Sequence, residues 1–139
     1  MILFDTDTLT HFAFGNDNLR RRIDEAGDEP LAITVITRHE VYRGRTEALL
    51  KAANEEELRK AAERYRETEV LLSDFQVVGV EDNAIRHFGR LRKQKNLKKM
   101  GRPDMLIACI ALANDALLVT RNTKDYRDIG GLRIENWVD

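Results

Sequence analysis

Four short apolar segments alternate with stretches of helical spacing, and this alternation constrains the fold more than any other feature of the chain. The segments cover residues 1–4, 31–35, 75–80 and 116–120, and residues 132–138 form a candidate fifth. Each is mostly apolar throughout, which is the pattern of strands buried on both faces of a parallel sheet. We therefore predict an α/β fold with three layers, α/β/α, around a central, mostly parallel sheet of four to five strands.

The stretches between the predicted strands have helical periodicity. The expected helices cover residues 9–14, 16–26, 36–50, a segment that begins at Asn54, residues 81–95, and a segment that begins at Asp104. The third and fourth should form an antiparallel hairpin. In the fifth, we expect Ile85, Phe88 and Leu91 to point inward. The last is apolar on nearly all sides, which predicts that it is buried among other elements.

The length of 139 residues is that of one domain, and no linker or internal repeat divides it, so residues 1–139 are predicted to be a single domain. The longest apolar run, residues 105–113, is far shorter than the ~20 residues that span a membrane. The N-terminus lacks the basic residues of a secretory signal, and the single cysteine, Cys109, cannot form an intramolecular disulfide. We predict a soluble, cytoplasmic protein without membrane contact.

Acidic and amide side chains are concentrated near the carboxyl ends of the predicted strands. They are Asp5, Asp7, Glu40, Asp104, Asn122 and Asp125. In parallel α/β sheets, ligands bind beyond these strand ends, so the placement predicts a site. Carboxylates gathered in one cleft repel each other unless a cation lies among them, and oxygen donors without histidine or cysteine favour Mg²⁺ or Mn²⁺.

Most of these residues also have a purely structural explanation, which the sequence leaves open. Asp5 and Asp7 could cap the first helix, and Asp104 could cap the last, because aspartate is a preferred N-cap residue. Asp125 could be an ordinary turn residue. Glu40 has no such role, since it lies within a predicted helix.

The charge is unevenly distributed along the chain. The formal net charge is −1, which by itself indicates no nucleic-acid partner. Residues 83–103, however, carry eight basic groups and no acid, and they run directly into Asp104. A basic segment beside an acidic cluster is suited to bind the phosphates of a nucleic acid around a metal site, although such a run also serves solubility alone.

Four sequence blocks resemble the signature blocks of the PIN-domain ribonucleases, and most closely the VapC-type toxins of prokaryotic toxin–antitoxin pairs. They are Asp-Thr-Asp at 5–7, Ile-Thr-Arg-His-Glu-Val-Tyr-Arg-Gly at 36–44, Pro-Asp-Met-Leu-Ile-Ala-Cys-Ile-Ala-Leu-Ala at 103–113, and Leu-Val-Thr-Arg-Asn-Thr-Lys-Asp-Tyr at 118–126. The resemblance extends over the whole chain in the same order, and it implies a PIN-like fold.

The resemblance also implies an activity and a set of site residues. By position, Asp5, Glu40 and Asp104 match the three acids that bind Mg²⁺ or Mn²⁺ in a metal-dependent endoribonuclease. Asn122 stands where the family often has aspartate, and Asp125 follows three residues later, so both are candidate members of the catalytic site. The implied products carry 5′-phosphate and 3′-hydroxyl ends.

The resemblance further implies three partners: an RNA substrate, a cognate antitoxin that covers the acidic cleft, and a second copy of the chain in a homodimer. For the RNA, basic side chains near the acids are the candidate contacts. These are Arg43, Lys98, Lys99 and Arg102.

Three alternatives stay open at this point. Phe-Asp-Thr-Asp-Thr-Leu also resembles the nucleophile motif of haloacid-dehalogenase-like phosphatases, but Thr8 stands where those enzymes have glycine, and Asp104 has no adjacent acid. A PIN nuclease of RNA processing would need no antitoxin. A PIN domain with asparagine at position 122 could also bind RNA without cleaving it.

Overall fold

A five-stranded, entirely parallel sheet forms the centre of the protein, in the order β3-β2-β1-β4-β5. The computed structural model describes residues 1–139. The strands are β1 (Ile2–Phe4), β2 (Leu31–Thr34), β3 (Gln76–Val78), β4 (Leu117–Val119) and β5 (Arg133–Glu135). The predicted parallel sheet is confirmed, and the candidate fifth strand pairs with β4 at one edge.

Seven α-helices connect or follow the strands. They are α1 (Thr6–Ala13), α2 (Asp17–Ala26), α3 (Val35–Lys51), α4 (Glu55–Leu72), α5 (Asp82–Leu91), α6 (Arg102–Ala113) and α7 (Thr123–Tyr126), with a 3-10 turn at Lys95–Leu97. None of the helices has the combination of length and apolarity that a membrane span requires.

Two helix starts differ from the prediction. α1 begins at Thr6 rather than at residue 9, because the Asp5 side chain accepts a hydrogen bond from the Thr8 amide and caps the helix immediately after β1. α6 begins at Arg102, with Gly101 as its N-cap and Pro103 in its first turn. Asp104 therefore lies in the first turn of α6 and does not cap it.

Two hydrophobic clusters cover the two faces of the sheet, which confirms the three-layer prediction. In β1, Leu3 belongs to one cluster, whereas Ile2 and Phe4 belong to the other, as expected from the alternation of side chains along a strand. α6 is buried as predicted, since six of its side chains belong to the first cluster. The second cluster includes the ring of Trp137 near the end of the chain.

The helices outside the sheet pack in two pairs, α3 with α4 and α5 with α6. α3 and α4 pack together as the predicted hairpin, and Arg45 Nε donates a hydrogen bond of 2.9 Å to Thr68 Oγ1 between them. α5 packs on α6 through Ala84 and Leu91, which are buried. The expectation that Ile85 points inward is wrong, since its side chain is 54% exposed on the outer face of α5.

Candidate active site

Asp5 lies at the junction of the two central strands. β1 and β4 are neighbours in parallel register, so the residues that follow them, Asp5 and Thr120, come together. Thr120 Oγ1 donates a hydrogen bond of 2.6 Å to Asp5 Oδ2, and the Thr8 amide donates one of 2.8 Å to Asp5 Oδ1. Asp5 as a whole residue is only 8% exposed. Asp5 thus caps α1 and also presents a fixed carboxylate at the end of the sheet.

Thr120 connects Asp5 to the next two candidate residues. The backbone N–H of Asn122 donates a hydrogen bond of 3.0 Å to Thr120 Oγ1. The side-chain Nδ2 of Asn122 donates one of 2.8 Å to Asp125 Oδ2. The predicted residues Asn122 and Asp125 therefore lie side by side. The hydrogen bond holds the Asp125 carboxylate next to the Asn122 side chain.

Asp104 is half-buried in the first turn of α6 and faces two other acids. Burial raises the pKa of the Asp104 carboxyl, the Tyr126 hydroxyl lowers it, and the negative charges of Asp5 and Asp125 raise it further. The structure therefore brings Asp5, Asp104 and Asp125 into one electrostatically coupled group.

Glu40 lies on the second turn of α3 and contacts the first residue of α1. Its side chain is exposed, and its Oε1 accepts a hydrogen bond of 3.1 Å from Thr6 Oγ1. Thr6 also contacts Thr37 Oγ1 at 3.1 Å. Since Thr6 directly follows Asp5, these contacts hold Glu40 beside the first acid.

The three predicted metal ligands offer the right donor atoms for a divalent cation but do not yet surround one. No three side chains among the acids, histidines and cysteine converge closely enough to hold an ion as they stand. The donor chemistry of Asp5, Glu40 and Asp104 nevertheless fits Mg²⁺ or Mn²⁺, because all three offer carboxylate oxygens. Burial is the main cause of the raised pKa of Asp104, and repulsion by Asp5 and Asp125 adds to it; a bound cation would relieve that repulsion. The three ligands stay a prediction.

Asp7 does not join the acidic group. It is exposed, and its carboxylate lies 3.7 Å from Arg121 Nη1 and 3.6 Å from His11 Nε2. Arg121 also lies 3.3 Å from the Asp139 carboxylate. Asp7 therefore belongs to a network of surface charges at the rim of the site, and Asp5 is the residue that caps the helix.

The candidate RNA contacts lie on two sides of the acids. Lys98, Lys99 and Arg102 are exposed in the turn before α6 and at its first residue, close in sequence to Asp104. The Arg102 guanidinium lies 4.8 Å from the centre of the Phe88 ring, a cation–π contact. Arg43, on α3, is exposed and pairs with Glu47 at 3.4 Å. Their role in binding RNA stays a prediction.

Sequence reasoning assigned no role to Tyr126, the last residue of α7, whose hydroxyl lies close to the Asp104 carboxyl. Its side chain is 1% exposed. Burial and the charges of Asp104 and Asp5 raise the pKa of the Tyr126 hydroxyl well above its usual value. The one available signal was its place at the end of the block Asn-Thr-Lys-Asp-Tyr, directly after Asp125.

The Thr120 hydroxyl supplies a first test of this geometry. Replacing Thr120 by valine keeps the shape of the side chain but leaves Asp5 Oδ2 and the Asn122 amide without their partner. We expect the free energy of unfolding, measured by urea denaturation, to fall by about 2 kcal/mol. Thr120→Ser is the matched control, because it keeps the hydroxyl and removes one methyl group, at a cost of about 0.8 kcal/mol. Equal losses in the two variants would show that the hydroxyl is not what stabilises this site.

The comparison with known proteins agrees with the architecture. The family model described as PIN domain matches residues 2–132. The chain belongs to the PIN-domain family. This membership favours the nuclease hypothesis over the phosphatase alternative, in line with the missing glycine after the second acid.

Individual relatives of this PIN-domain chain carry related names. "Ribonuclease VapC2" of Rickettsia felis is 29% identical over 114 residues, which is 81% of this chain and 78% of the relative. "tRNA(fMet)-specific endonuclease VapC" of Shigella flexneri is 34% identical over 73 residues, half of this chain and 54% of that relative. The crystal structure of VapBC2 from Rickettsia felis, bound to a DNA fragment from its promoter, superposes with a TM-score of 0.75 at 26% identity and covers 99% of both chains.

Proposed function

We propose that the protein is a metal-dependent endoribonuclease that acts as the toxin of a toxin–antitoxin pair in the cytoplasm. The observation that carries the proposal is the group of three acids, Asp5, Asp104 and Asp125, beyond the carboxyl ends of β1 and β4 in a PIN-domain chain. The names of the relatives, ribonuclease and endonuclease VapC, support the same activity.

In this proposal Asp5, Glu40 and Asp104 hold Mg²⁺ or Mn²⁺. When bound, a divalent cation acidifies water for attack on phosphorus and offsets the negative charge of the scissile phosphate. Asp5 is held in orientation by Thr120 and by the cap of α1, so it offers its free lone pairs from a fixed position. Glu40 is flexible by comparison, because one hydrogen bond from Thr6 holds an exposed side chain.

Asn122 and Asp125 complete the site in this proposal. The Asn122 side chain donates one amide hydrogen to Asp125 and has a second hydrogen and its carbonyl oxygen available for water or substrate. Asp125 supplies a fourth negative charge near Asp104. This pairing favours an active nuclease over an inactive RNA-binding domain, because the acid that the family often has at position 122 is present three residues later.

RNA would approach over the basic residues that flank the acids. Lys98, Lys99 and Arg102 lie next to the helix turn that carries Asp104, and Arg43 lies on the helix that carries Glu40. Their positive charges would bind backbone phosphates on either side of the scissile bond. Binding of this kind weakens steeply as the salt concentration rises.

The antitoxin is proposed to cover a groove of about 640 Å³ between α1, α3 and α4 that opens beside Glu40. The groove is lined by apolar and charged side chains, among them Phe14, which is 85% exposed, and Arg64. The VapBC complex of Rickettsia felis, in which a protein of this fold is crystallised, supports such a partner. The homodimer stays a prediction from the resemblance.

Removal of divalent metal tests the proposed activity. Purified protein incubated with total RNA and Mn²⁺ or Mg²⁺ is expected to produce fragments with 5′-phosphate and 3′-hydroxyl ends, and EDTA is expected to stop the cleavage. Added Mn²⁺ in excess of EDTA should restore it, because the acids that hold the ion are part of the fold. Cleavage that continues in EDTA would contradict the metal-dependent mechanism, and release of inorganic phosphate without RNA fragments would favour the phosphatase alternative.

A further inference from the structure

The hydroxyl of Tyr126 is the one buried side-chain polar atom in the protein that has no hydrogen-bond partner. The ring packs in the larger hydrophobic cluster, with α6 and β4 around it. A buried hydroxyl left unpaired costs about 1–3 kcal/mol, whereas a phenylalanine ring would fill the same volume without this cost. The hydroxyl is therefore a group that is stabilised only in a state where it gains a partner.

The candidate hydrogen-bond acceptor for the Tyr126 hydroxyl is the Asp104 carboxylate. The Tyr126 hydroxyl lies near enough to Asp104 to lower the pKa of that carboxyl, although the two groups do not reach the distance and angle of a full hydrogen bond. A phenol is protonated at neutral pH and can donate, and an ionised carboxylate can accept at either oxygen.

Binding of a cation is expected to rotate the Asp104 side chain. As the structure stands, the predicted ligands do not converge on a common point, so at least one carboxylate must turn to reach an ion shared with Asp5. Carboxylates that bind metals are commonly fixed by a hydrogen bond to the oxygen or orientation that the metal requires. Tyr126 is the side chain in position to supply that bond, because its hydroxyl is buried, unpaired and close to the Asp104 carboxyl.

We propose that Tyr126 is a positioning residue whose hydroxyl donates a hydrogen bond to the Asp104 carboxylate and holds it in the orientation that binds the divalent cation. This inference rests on the proposed function, since it assumes that Asp104 is a ligand. It assigns to Tyr126 no contact with RNA and no proton transfer. Residues that orient metal ligands in this way typically change metal affinity by about 10- to 100-fold when they are replaced.

The variant Tyr126→Phe separates this role from simple packing. We expect the unfolding temperature of the metal-free protein to stay the same or to rise, because the unpaired hydroxyl is removed. The dissociation constant for Mn²⁺, measured by isothermal titration calorimetry, should increase about tenfold or more. If the Tyr126 ring only fills the core, the metal-free protein should be equally stable or more stable in the variant, and the Mn²⁺ affinity should be unchanged.

A spectroscopic signal and a control complete the experiment. Addition of Mn²⁺ to the wild type should shift the near-ultraviolet absorbance of a buried tyrosine, and the shift should be absent from Tyr126→Phe. Tyr65→Phe, in the helical hairpin, should keep both the affinity and the shift, because its ring packs on Tyr42 away from the acids. Equal Mn²⁺ affinity in the wild type and Tyr126→Phe would overturn the inference alone. A wild type that binds no Mn²⁺ would overturn the proposed metal site, and the inference with it.

Discussion

Replacing Asp5 by asparagine is expected to lower the rate of RNA cleavage about a thousandfold while the fold stays intact. Asparagine caps helices as well as aspartate does, so its carbonyl oxygen can still accept from the Thr8 amide, and its amide group can still contact Thr120. What the variant loses is the negative charge at the centre of the proposed metal site, which is worth several kcal/mol in the transition state. Single-turnover cleavage of RNA in Mn²⁺ measures this loss.

Asp7→Asn is the matched control for this experiment. It makes the same chemical change two residues away, on the same helix turn, but at an exposed residue that pairs with Arg121 and His11. Exposed ion pairs contribute about 0–1 kcal/mol, so we expect a cleavage rate within about fivefold of the wild type. Thermal unfolding of both variants should resemble that of the wild type. An Asp5→Asn variant that cleaves at the wild-type rate would contradict the assignment of Asp5.

Replacing Phe4 by alanine is expected to destabilise the protein by about 4 kcal/mol, the largest loss of stability that we predict. Phe4 is fully buried and directly precedes Asp5. Its ring centre lies 6.0 Å from that of Phe12 in α1, 5.6 Å from that of Phe75 and 6.4 Å from that of Trp137. Phe4 therefore packs β1 against α1, the turn before β3 and the C-terminal segment. Guanidinium denaturation should show a lower midpoint with an unchanged slope.

Phe14→Ala provides the comparison for the same side-chain truncation on the surface. Phe14 is 85% exposed, so its removal should change the free energy of unfolding by no more than about 0.5 kcal/mol. If the Phe4 and Phe14 variants lost similar stability, the aromatic cluster would not be the element that joins these segments. Phe14 also lines the proposed antitoxin groove, so this comparison concerns the free energy of unfolding and not antitoxin binding.

The elements with the strongest local signals were predictable from the sequence. The strands and the buried helix α6 were correctly placed, because short, mostly apolar segments leave few alternatives. The starts of α1 and α6 were not, because aspartate can cap a helix or lie within its first turn, and propensity alone does not separate the two. Ile85 was wrongly placed inward because helical periodicity defines a face but not the neighbour on which that face packs.

The residues of the candidate site were predictable from the sequence, but the hydrogen bonds and charge interactions between them were not. The acids at the strand ends are visible in the sequence, and the structure joins Asp5, Asp104 and Asp125 electrostatically. The hydrogen bond between Thr120 and Asp5, however, links residues 115 positions apart. No local pattern reports a contact of this range, and the same is true of Tyr126 beneath Asp104.

The sequence by itself determined the class of the fold and the order of its elements, and it predicts the chemical type of the candidate site, because periodicity, capping and ligand preference are properties of neighbouring residues. The strand order decided the rest. Pairing of β1 with β4 rather than with β2 alone is what brings Asp5 to Thr120, and the packing of α6 on the sheet is what brings Asp104 over Tyr126. These contacts depend on how distant segments bury their apolar surface together, which only the tertiary structure decides.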